Sequence, residues 1–179
     1  MEINNKPKIF VHSWIAEDLK SKLEENFDID QHDASEVVLS GDSLLKRVIN
    51  VEGIIAQAPI IDKNLLQSCP NLKIVSNVAV GVDNIDVHSC TEMGIQVTNT
   101  PGVLNDAVAD MSMALLLAVA RRIPEGERMV RTGEFKGNPY PLLWGADLKG
   151  ENLGIIGMGS IGQDVAKRAL PFGLNIKYY

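Results

Sequence analysis

The chain has 179 residues, of which 45% are hydrophobic and 22% charged, which is ordinary for a soluble globular protein with one large domain or two small ones. Its net charge is −6 at pH 7 and it has no basic cluster, which excludes a nucleic-acid partner. The longest apolar run, residues 111–120, is well short of the about 20 residues that cross a bilayer. With no signal peptide and no motif spacing between Cys69 and Cys90, we expect a reduced, cytoplasmic protein without membrane or metal partners.

Short apolar runs alternate with helical patterns through the first half of the chain. The pattern predicts strands at 8–12, 27–30, 53–56, 73–77 and 95–97, and helices at 16–26, 43–49, 62–69 and 86–93. We expect Asp42 or Ser43 to cap the second helix, Asp62 to cap the third, and Gly94 to end the fourth in a left-handed conformation. This alternation predicts a parallel sheet with helices on both faces, and such sheets bind ligands at the carboxyl ends of their strands.

Two of the predicted strand ends carry candidate binding residues. Gln57 and Ala58 follow the third strand, and Val80 and Gly81 follow the fourth. A glycine lets backbone N–H groups approach a ligand closely, although Gly81 alone is also compatible with a simple turn of the chain.

The alternating pattern stops near residue 98, and a long helix and a loop follow. Residues 103–122 read as one helix, apolar nearly all round, which we expect to be buried on several sides, between two domains or at a dimer interface. Residues 131–150 read as a loop that contains Phe135, Tyr140 and Trp144. An apolar loop needs a surface to cover it, so we expect an arm that packs either on a partner subunit or on its own domain.

The most specific signal is a glycine-rich turn between a predicted strand at 153–156 and a predicted helix at 161–170, with a further strand at 175–179. The turn G-x-G-x-x-G consists of Gly157, Met158, Gly159, Ser160, Ile161 and Gly162. The first glycine makes the tight turn, the second leaves room for a pyrophosphate, and the third lets the helix approach the strand. The phosphates then meet free N–H groups at a helix N-terminus, so the turn predicts a dinucleotide site.

Together these segments resemble the D-isomer-specific 2-hydroxyacid dehydrogenases, and within them the glyoxylate/hydroxypyruvate reductases. The resemblance is carried by NVAVGVDNID at 77–86, VTNTPGV at 97–103, VAD at 108–110, ARR at 120–122 and GIIGMGSIG at 154–162. It extends from the first strand to the last residue, but covers only a little over half of a typical family member. One mild departure is Asp110, where many relatives have Glu.

The resemblance implies an α/β fold in which residues 1–98 form a flavodoxin-like parallel-sheet substrate domain and residues 99–179 form the start of a Rossmann dinucleotide-binding domain. It also implies reduction of a small 2-keto acid, glyoxylate or hydroxypyruvate, to the D-2-hydroxy acid with NAD or NADP. Val80 and Gly81 would offer backbone groups to the substrate carboxylate, with Gln57 and Ala58 at the same cleft between the domains. The turn from Met158 to Ile161 would hold the cofactor pyrophosphate. The helix 103–122 and the arm 131–150 would form a homodimer interface.

The family's three reacting side chains are the main departure. A His that protonates the carbonyl, a Glu that tunes it and an Arg that binds the carboxylate are all expected downstream of this chain, so none of its residues is assigned a catalytic role. His12, His32 and His88 match none of these roles, and we expect them to be surface or packing residues. The 179 residues alone are therefore expected to be inactive. Phosphoglycerate or D-lactate dehydrogenase activity, or a non-catalytic dinucleotide-binding or dimerising fragment, are the alternatives.

The choice between NAD and NADP stays open. The residue that distinguishes a ribose 2′-hydroxyl from a 2′-phosphate lies about 20 residues after the glycine turn, and the chain ends at Tyr179.

Overall fold

The computed structural model describes residues 6–33, 39–57, 59–137 and 142–179. The chain divides into two compact units, Met1–Pro101 and Gly102–Tyr179, which we call the first and the second unit. Among the described residues, no helix combines the length and the apolar character that crossing a membrane requires.

The first unit is a five-stranded parallel sheet with four helices. Its strands are β1 (Lys8–Val11), β2 (Asp28–Gln31), β3 (Gly53–Ala56), β4 (Ile74–Asn77) and β5 (Gln96–Thr98), and its helices are α1 (Glu17–Glu24), α2 (Gly41–Val48), α3 (Lys63–Gln67) and α4 (Val87–Glu92). The strand order is β2-β1-β3-β4-β5, with every pair parallel. This is the flavodoxin-like order, and it confirms the predicted fold class.

The core of the first unit lies between the sheet and its helices. Phe10, Ile54 and Val75 on the central strands are at most 1% exposed, and Leu44 and Leu66 on α2 and α3 pack against the same core. Central strands of a parallel sheet are covered on both faces, which explains why they read as continuous apolar runs rather than as alternating ones.

The start of α2 differs from the prediction. The residue that precedes the helix is Ser40, not Asp42 or Ser43. The Ser43 hydroxyl instead accepts a hydrogen bond from the Ser40 N–H (3.1 Å) and donates to the Ser40 carbonyl (2.7 Å), so it satisfies groups at the helix start from the third helical position. Choosing between neighbouring polar residues requires the backbone geometry, which the sequence does not provide.

Asp62 at the start of α3 and Gly94 at the end of α4 have the predicted roles, and Asp86, predicted as the first residue of α4, caps that helix. Asp62 accepts a hydrogen bond from the Leu65 N–H (2.9 Å) at the start of α3. Asp86 accepts from both the N–H (2.9 Å) and the hydroxyl (2.7 Å) of Ser89, and these hydrogen bonds lower the pKa of Asp86. Gly94 ends α4 with a φ of 72°, the left-handed conformation that glycine adopts without strain.

The second unit packs three helices with a two-stranded parallel sheet. Its elements are α5 (Asn105–Ala120), α6 (Ile123–Arg131), β6 (Asn152–Ile155), α7 (Ser160–Ala169), a short 3-10 turn (Leu170–Phe172) and β7 (Asn175–Tyr178). Met113, Ala169 and Leu174 form its buried core. Arg168 on α7 links the two longest helices, since its guanidinium donates to the carboxylates of Asp106 (2.7 Å) and Asp110 (2.6 Å) on α5.

The helix predicted at residues 103–122 is shorter in the structure. It ends at Ala120, because Arg122 has a left-handed backbone (φ 53°) and precedes a separate helix, α6, that the sequence analysis did not predict. Only Ala109 and Met113 of α5 are buried within the described chain, and the burial expected between two domains or at a dimer interface stays a prediction. An exposed apolar stripe runs along the helix at Val108, Met111, Leu115 and Val119.

Candidate functional site

The glycine turn between β6 and α7 has the geometry that a dinucleotide cradle requires. Gly157 has a φ of 92°, which disfavours any residue with a side chain. A Cβ on Gly162 would lie 2.3 Å from the Gly157 carbonyl oxygen, so only glycine allows α7 to approach the turn this closely. A Cβ on Gly159 would meet no atom within 4 Å, so the space beside it is open to a ligand. Each glycine therefore occupies the environment that its predicted role demands.

The start of α7 supplies hydrogen-bond donors to that open space. The first backbone hydrogen bond of the helix is donated by the Gln163 N–H to the Gly159 carbonyl (2.9 Å). The N–H groups of Ser160, Ile161 and Gly162 come before it in the chain and have no acceptor within the helix. The Gln163 side chain donates to the Met158 carbonyl (3.2 Å) and fixes the turn. Free N–H groups and the positive end of the helix dipole favour an anion, and a pyrophosphate fits this site.

In the first unit, the carboxyl ends of three adjacent strands bring the other predicted residues to one edge of the sheet. Gln57 directly follows β3, and its side-chain carbonyl accepts a hydrogen bond from the Ser13 hydroxyl (2.5 Å), which follows β1. Ala58 lies outside the described residues. The strand order reverses direction between β1 and β3, and at such a switch point parallel sheets bind their ligands.

The loop after β4 is held by hydrogen bonds to three successive carbonyl groups. The Ala79 carbonyl accepts from the Thr100 N–H (2.9 Å), the Val80 carbonyl from the Asn99 side-chain amide (2.8 Å), and the Gly81 carbonyl from the Asn77 side-chain amide (2.8 Å). Val80 and Gly81 themselves are exposed, and no acceptor for their N–H groups occurs among the described residues.

Two asparagine side chains connect this loop to the exit of β3. Asn77, the last residue of β4, is 2% exposed, and its amide also donates to the Asn84 side-chain carbonyl (3.2 Å). The Asn84 amide in turn donates to the Pro59 carbonyl (2.9 Å). The two strand exits that carry Val80, Gly81 and Gln57 are therefore joined by polar groups beneath the loop.

The histidines have the roles that the sequence analysis gave them. His12 and His32 are 5% and 3% exposed and pack in the first unit with their rings 6.0 Å apart, whereas His88 is exposed on α4 and lies 3.3 Å from the Glu92 carboxylate. Within the described ranges, no group of three or more His, Cys, Asp and Glu side chains is arranged to hold a metal ion.

An apolar groove of about 770 Å³ lies elsewhere in the second unit, between the C-terminal half of α5 and the start of β6. Its walls include Leu115, Val119, Leu148 and Leu153. Because the groove lies at the start of β6 and the glycine turn at its end, the groove is not part of the dinucleotide cradle.

Three residues of the site were not predicted from the sequence. Asn77, Asn99 and Ser13 hold the loop and the Gln57 side chain in place, but they act across separations of 4, 19 and 44 residues. Asn77 and Asn99 stand within the segments that carry the family resemblance. The sequence does show that Asn77 is a polar residue at the end of a buried strand. That position does not reveal the carbonyl group to which the Asn77 amide donates.

Two family models match the chain and together cover nearly all of it. The D-isomer specific 2-hydroxyacid dehydrogenase catalytic domain matches residues 9–121, and the NAD binding domain of the same family matches residues 113–179. The chain belongs to the D-isomer-specific 2-hydroxyacid dehydrogenase family. The glycine turn therefore lies in the family's NAD-binding domain, and the cofactor of the family, NAD or NADP, fits the cradle that α7 and β6 form.

Relatives and solved structures agree with this assignment. The chain is 46% identical to the glyoxylate reductase of Thermococcus litoralis and 44% identical to that of Pyrococcus horikoshii. Both alignments cover 97% of this chain, and they cover 54% of the Thermococcus protein and 53% of the Pyrococcus protein. The crystal structure of the TT0316 protein from Thermus thermophilus superposes with a TM-score of 0.89 at 41% identity, over 96% of this chain and 55% of that chain. The chain thus spans about half the length of the curated relatives it matches.

Proposed function

We propose that the protein containing this chain reduces a small 2-keto acid, glyoxylate or hydroxypyruvate, to the D-2-hydroxy acid with NADH or NADPH. The observation that carries the proposal is the loop after β4, whose three carbonyls are all held by donors of the first unit. In a trans peptide the N–H of each residue points in the opposite direction to the C=O of the residue before it. A donor that holds one of these carbonyls therefore makes the N–H of the following residue point away from that donor. The loop therefore presents a row of backbone donors.

A row of backbone N–H groups suits the carboxylate that every 2-keto acid carries. In our proposal the N–H groups of Val80 and Gly81 bind the carboxylate oxygens, since hydrogen bonds to a charged acceptor are the stronger ones. Gln57 lies at the neighbouring strand exit, and in our proposal Gln57 and Ala58 complete the substrate site. Glyoxylate as substrate is supported by the two relatives, which are glyoxylate reductases, and hydroxypyruvate by the resemblance of the sequence to the glyoxylate/hydroxypyruvate reductases.

The second unit contributes the cofactor site. When it is bound, the nicotinamide cofactor supplies the hydride that reduces the keto group. The N–H groups at the start of α7 bind its pyrophosphate, and Gly159 leaves room for the phosphate oxygens. We assign the proton donor, its Glu partner and the substrate-binding Arg to none of the residues of this chain, and the role we propose for the chain is to bind and orient the reactants.

We also propose that the protein forms a homodimer through residues 103–122 and 131–150. The exposed stripe at Val108, Met111, Leu115 and Val119 repeats at helical spacing, as expected for a face that another subunit covers. Part of the arm packs on its own unit, because the Ala146 N–H donates to the Ala120 carbonyl (2.8 Å) at the end of α5. Phe135 and Trp144 are 45% and 58% exposed, so these aromatic rings are the part of the arm that we assign to the interface.

Steady-state kinetics with the intact gene product test the proposed reaction. Oxidation of NADH and of NADPH is measured with glyoxylate, hydroxypyruvate, pyruvate and phosphohydroxypyruvate. We expect the highest kcat/KM with glyoxylate or hydroxypyruvate. A preference of tenfold or more for pyruvate or phosphohydroxypyruvate would support the lactate or phosphoglycerate dehydrogenase alternative. The 179-residue chain, assayed in parallel, is expected to show no turnover.

A further inference from the structure

The loop after β4 depends on two side chains that the proposed reaction does not itself use. Asn99 donates to the Val80 carbonyl and Asn77 donates to the Gly81 carbonyl, both at 2.8 Å. Asn99 is exposed beyond the end of β5, whereas Asn77 is buried at the end of β4. Two amides from adjacent strands therefore hold two successive peptide groups of one short loop.

Each amide sets the direction of a particular N–H group. Because the peptide unit is planar and trans, the N–H of Gly81 points away from the Val80 carbonyl that Asn99 holds. In the same way, the N–H of Val82 points away from the Gly81 carbonyl that Asn77 holds. Without these amides the two peptide planes could rotate, and a carbonyl oxygen could take the place of a donor on the exposed side of the loop.

Burial argues that the Asn77 amide is there for its hydrogen bonds. An amide that is 2% exposed is costly in a protein interior unless its donors and acceptor are satisfied. Both of its donor bonds are made, one to Gly81 and one to Asn84, and Asn84 passes the connection on to Pro59. Because Asn77 is covered, it acts on a ligand only through the loop.

We infer that Asn77 and Asn99 are positioning residues for carboxylate recognition. Asn99 fixes the peptide plane that aims the Gly81 N–H, and Asn77 holds the Gly81 carbonyl and so fixes the peptide group on the other side of the same residue. The inference rests on the proposed function, because it requires the loop after β4 to bind the carboxylate of a 2-keto acid. It adds to that function two side chains that do not touch the substrate but set its affinity.

Asn99 offers the sharper test, because it is exposed and its removal leaves no cavity. In the intact gene product, Asn99→Ala is compared with Asn26→Ala, which makes the same change at an exposed position in the turn after α1. We expect Asn99→Ala to raise the KM for glyoxylate or hydroxypyruvate and the Kd for oxamate, a non-reducible carboxylate probe, by about 5- to 20-fold. The kcat, the KM for NAD(P)H and the melting temperature should stay at the values of the unaltered protein.

Asn77→Ala provides a second and independent measurement. It should raise the KM for the keto acid in the same way, with a lower melting temperature because it leaves the Gly81 carbonyl without its donor. Oxamate affinity is measured well below the melting temperature, so loss of fold and loss of affinity are separated.

The outcomes are distinct. If the unaltered protein is active but Asn99→Ala binds oxamate and keto acid as well as Asn26→Ala does, the inference is wrong and the proposed function stands. A fall in kcat, cofactor affinity and melting temperature together would also overturn it, since that pattern marks a general structural role. If the unaltered protein reduces neither keto acid, the proposed function fails and the inference fails with it.

Discussion

Exchanging two glycines of the same turn for alanine should separate folding from cofactor binding. In Gly162→Ala the new Cβ would lie 2.3 Å from the Gly157 carbonyl oxygen and 3.3 Å from its carbonyl carbon. Ordinary contact would require the turn and α7 to separate by roughly 1 Å, and such overpacking costs about 1–3 kcal/mol. The obstacle is backbone rather than the end of a flexible side chain, so it cannot be relieved by a rotamer change.

Gly159→Ala is the matched change with the opposite expectation. Its Cβ would meet nothing within 4 Å, and its φ of −73° and ψ of −166° suit alanine. The reduced freedom of the unfolded chain offsets the weaker helix cap, so the free energy of unfolding should change by about 0.5 kcal/mol or less. The methyl group would instead occupy the space proposed for the pyrophosphate. Loss of one charge-assisted hydrogen bond there would weaken NAD(P)H binding by about 10- to 150-fold.

Both variants of the intact gene product are examined by thermal unfolding without ligand and by fluorescence titration with NADH and NADPH. We expect Gly162→Ala to lower the melting temperature by about 2 °C or more, and Gly159→Ala to retain it while losing affinity. The reasoning would be refuted by a Gly159→Ala protein that binds the cofactor normally, or by a Gly162→Ala protein as stable as the unaltered one.

Three further predictions concern other parts of the chain. Burial raises the pKa values of Cys69 and Cys90, so neither thiol should react with a thiol reagent until the protein unfolds; rapid labelling of folded protein would contradict this. Hydrogen bonds from Arg47 lower the pKa of Asp30, so this pair stabilises the fold at neutral pH and its contribution is lost as the pH falls into the range where Asp30 takes up a proton. Arg47→Ala should therefore reduce the melting temperature less and less as the pH falls from 7 through the range where Asp30 takes up its proton, and a reduction that stays constant down to the pH of acid unfolding would argue against the pair. Met111→Lys should convert the proposed dimer to a monomer in light scattering, and an unchanged mass would exclude this face as the interface.

The periodicity of the sequence was sufficient to predict the sheet and the turn. Both depend on residues that are close together in the sequence. The strand that ends at Ala56 is one short apolar run, and the turn is set by the spacing of the glycines from Gly157 to Gly162. The resemblance to the family added the carboxylate-binding role of Val80 and Gly81, which remains a proposal.

What the sequence did not reveal depends on contacts between distant residues or on backbone geometry. The hydrogen bond from Asn99 to Val80 joins residues 19 apart, and no local pattern indicates it. The end of the long helix depends on a left-handed backbone at Arg122, where the guanidinium donates to Glu125 (2.5 Å) and to the Trp144 carbonyl (3.4 Å). The apolar composition of α5 predicted burial between two domains or at a dimer interface, and the exposed side chains of Val108, Met111, Leu115 and Val119 are the part of the helix to which this prediction applies.

The central claim is that hydride passes from the cofactor to the keto carbon of a small 2-keto acid. The most direct measurement is the reduction of hydroxypyruvate by the intact gene product with NADH and NADPH deuterated at nicotinamide C4 on the transferred face. Our account predicts D-glycerate with one deuterium at C2. Glycerate of L configuration, glycerate without deuterium at C2, or no product with either cofactor would contradict it.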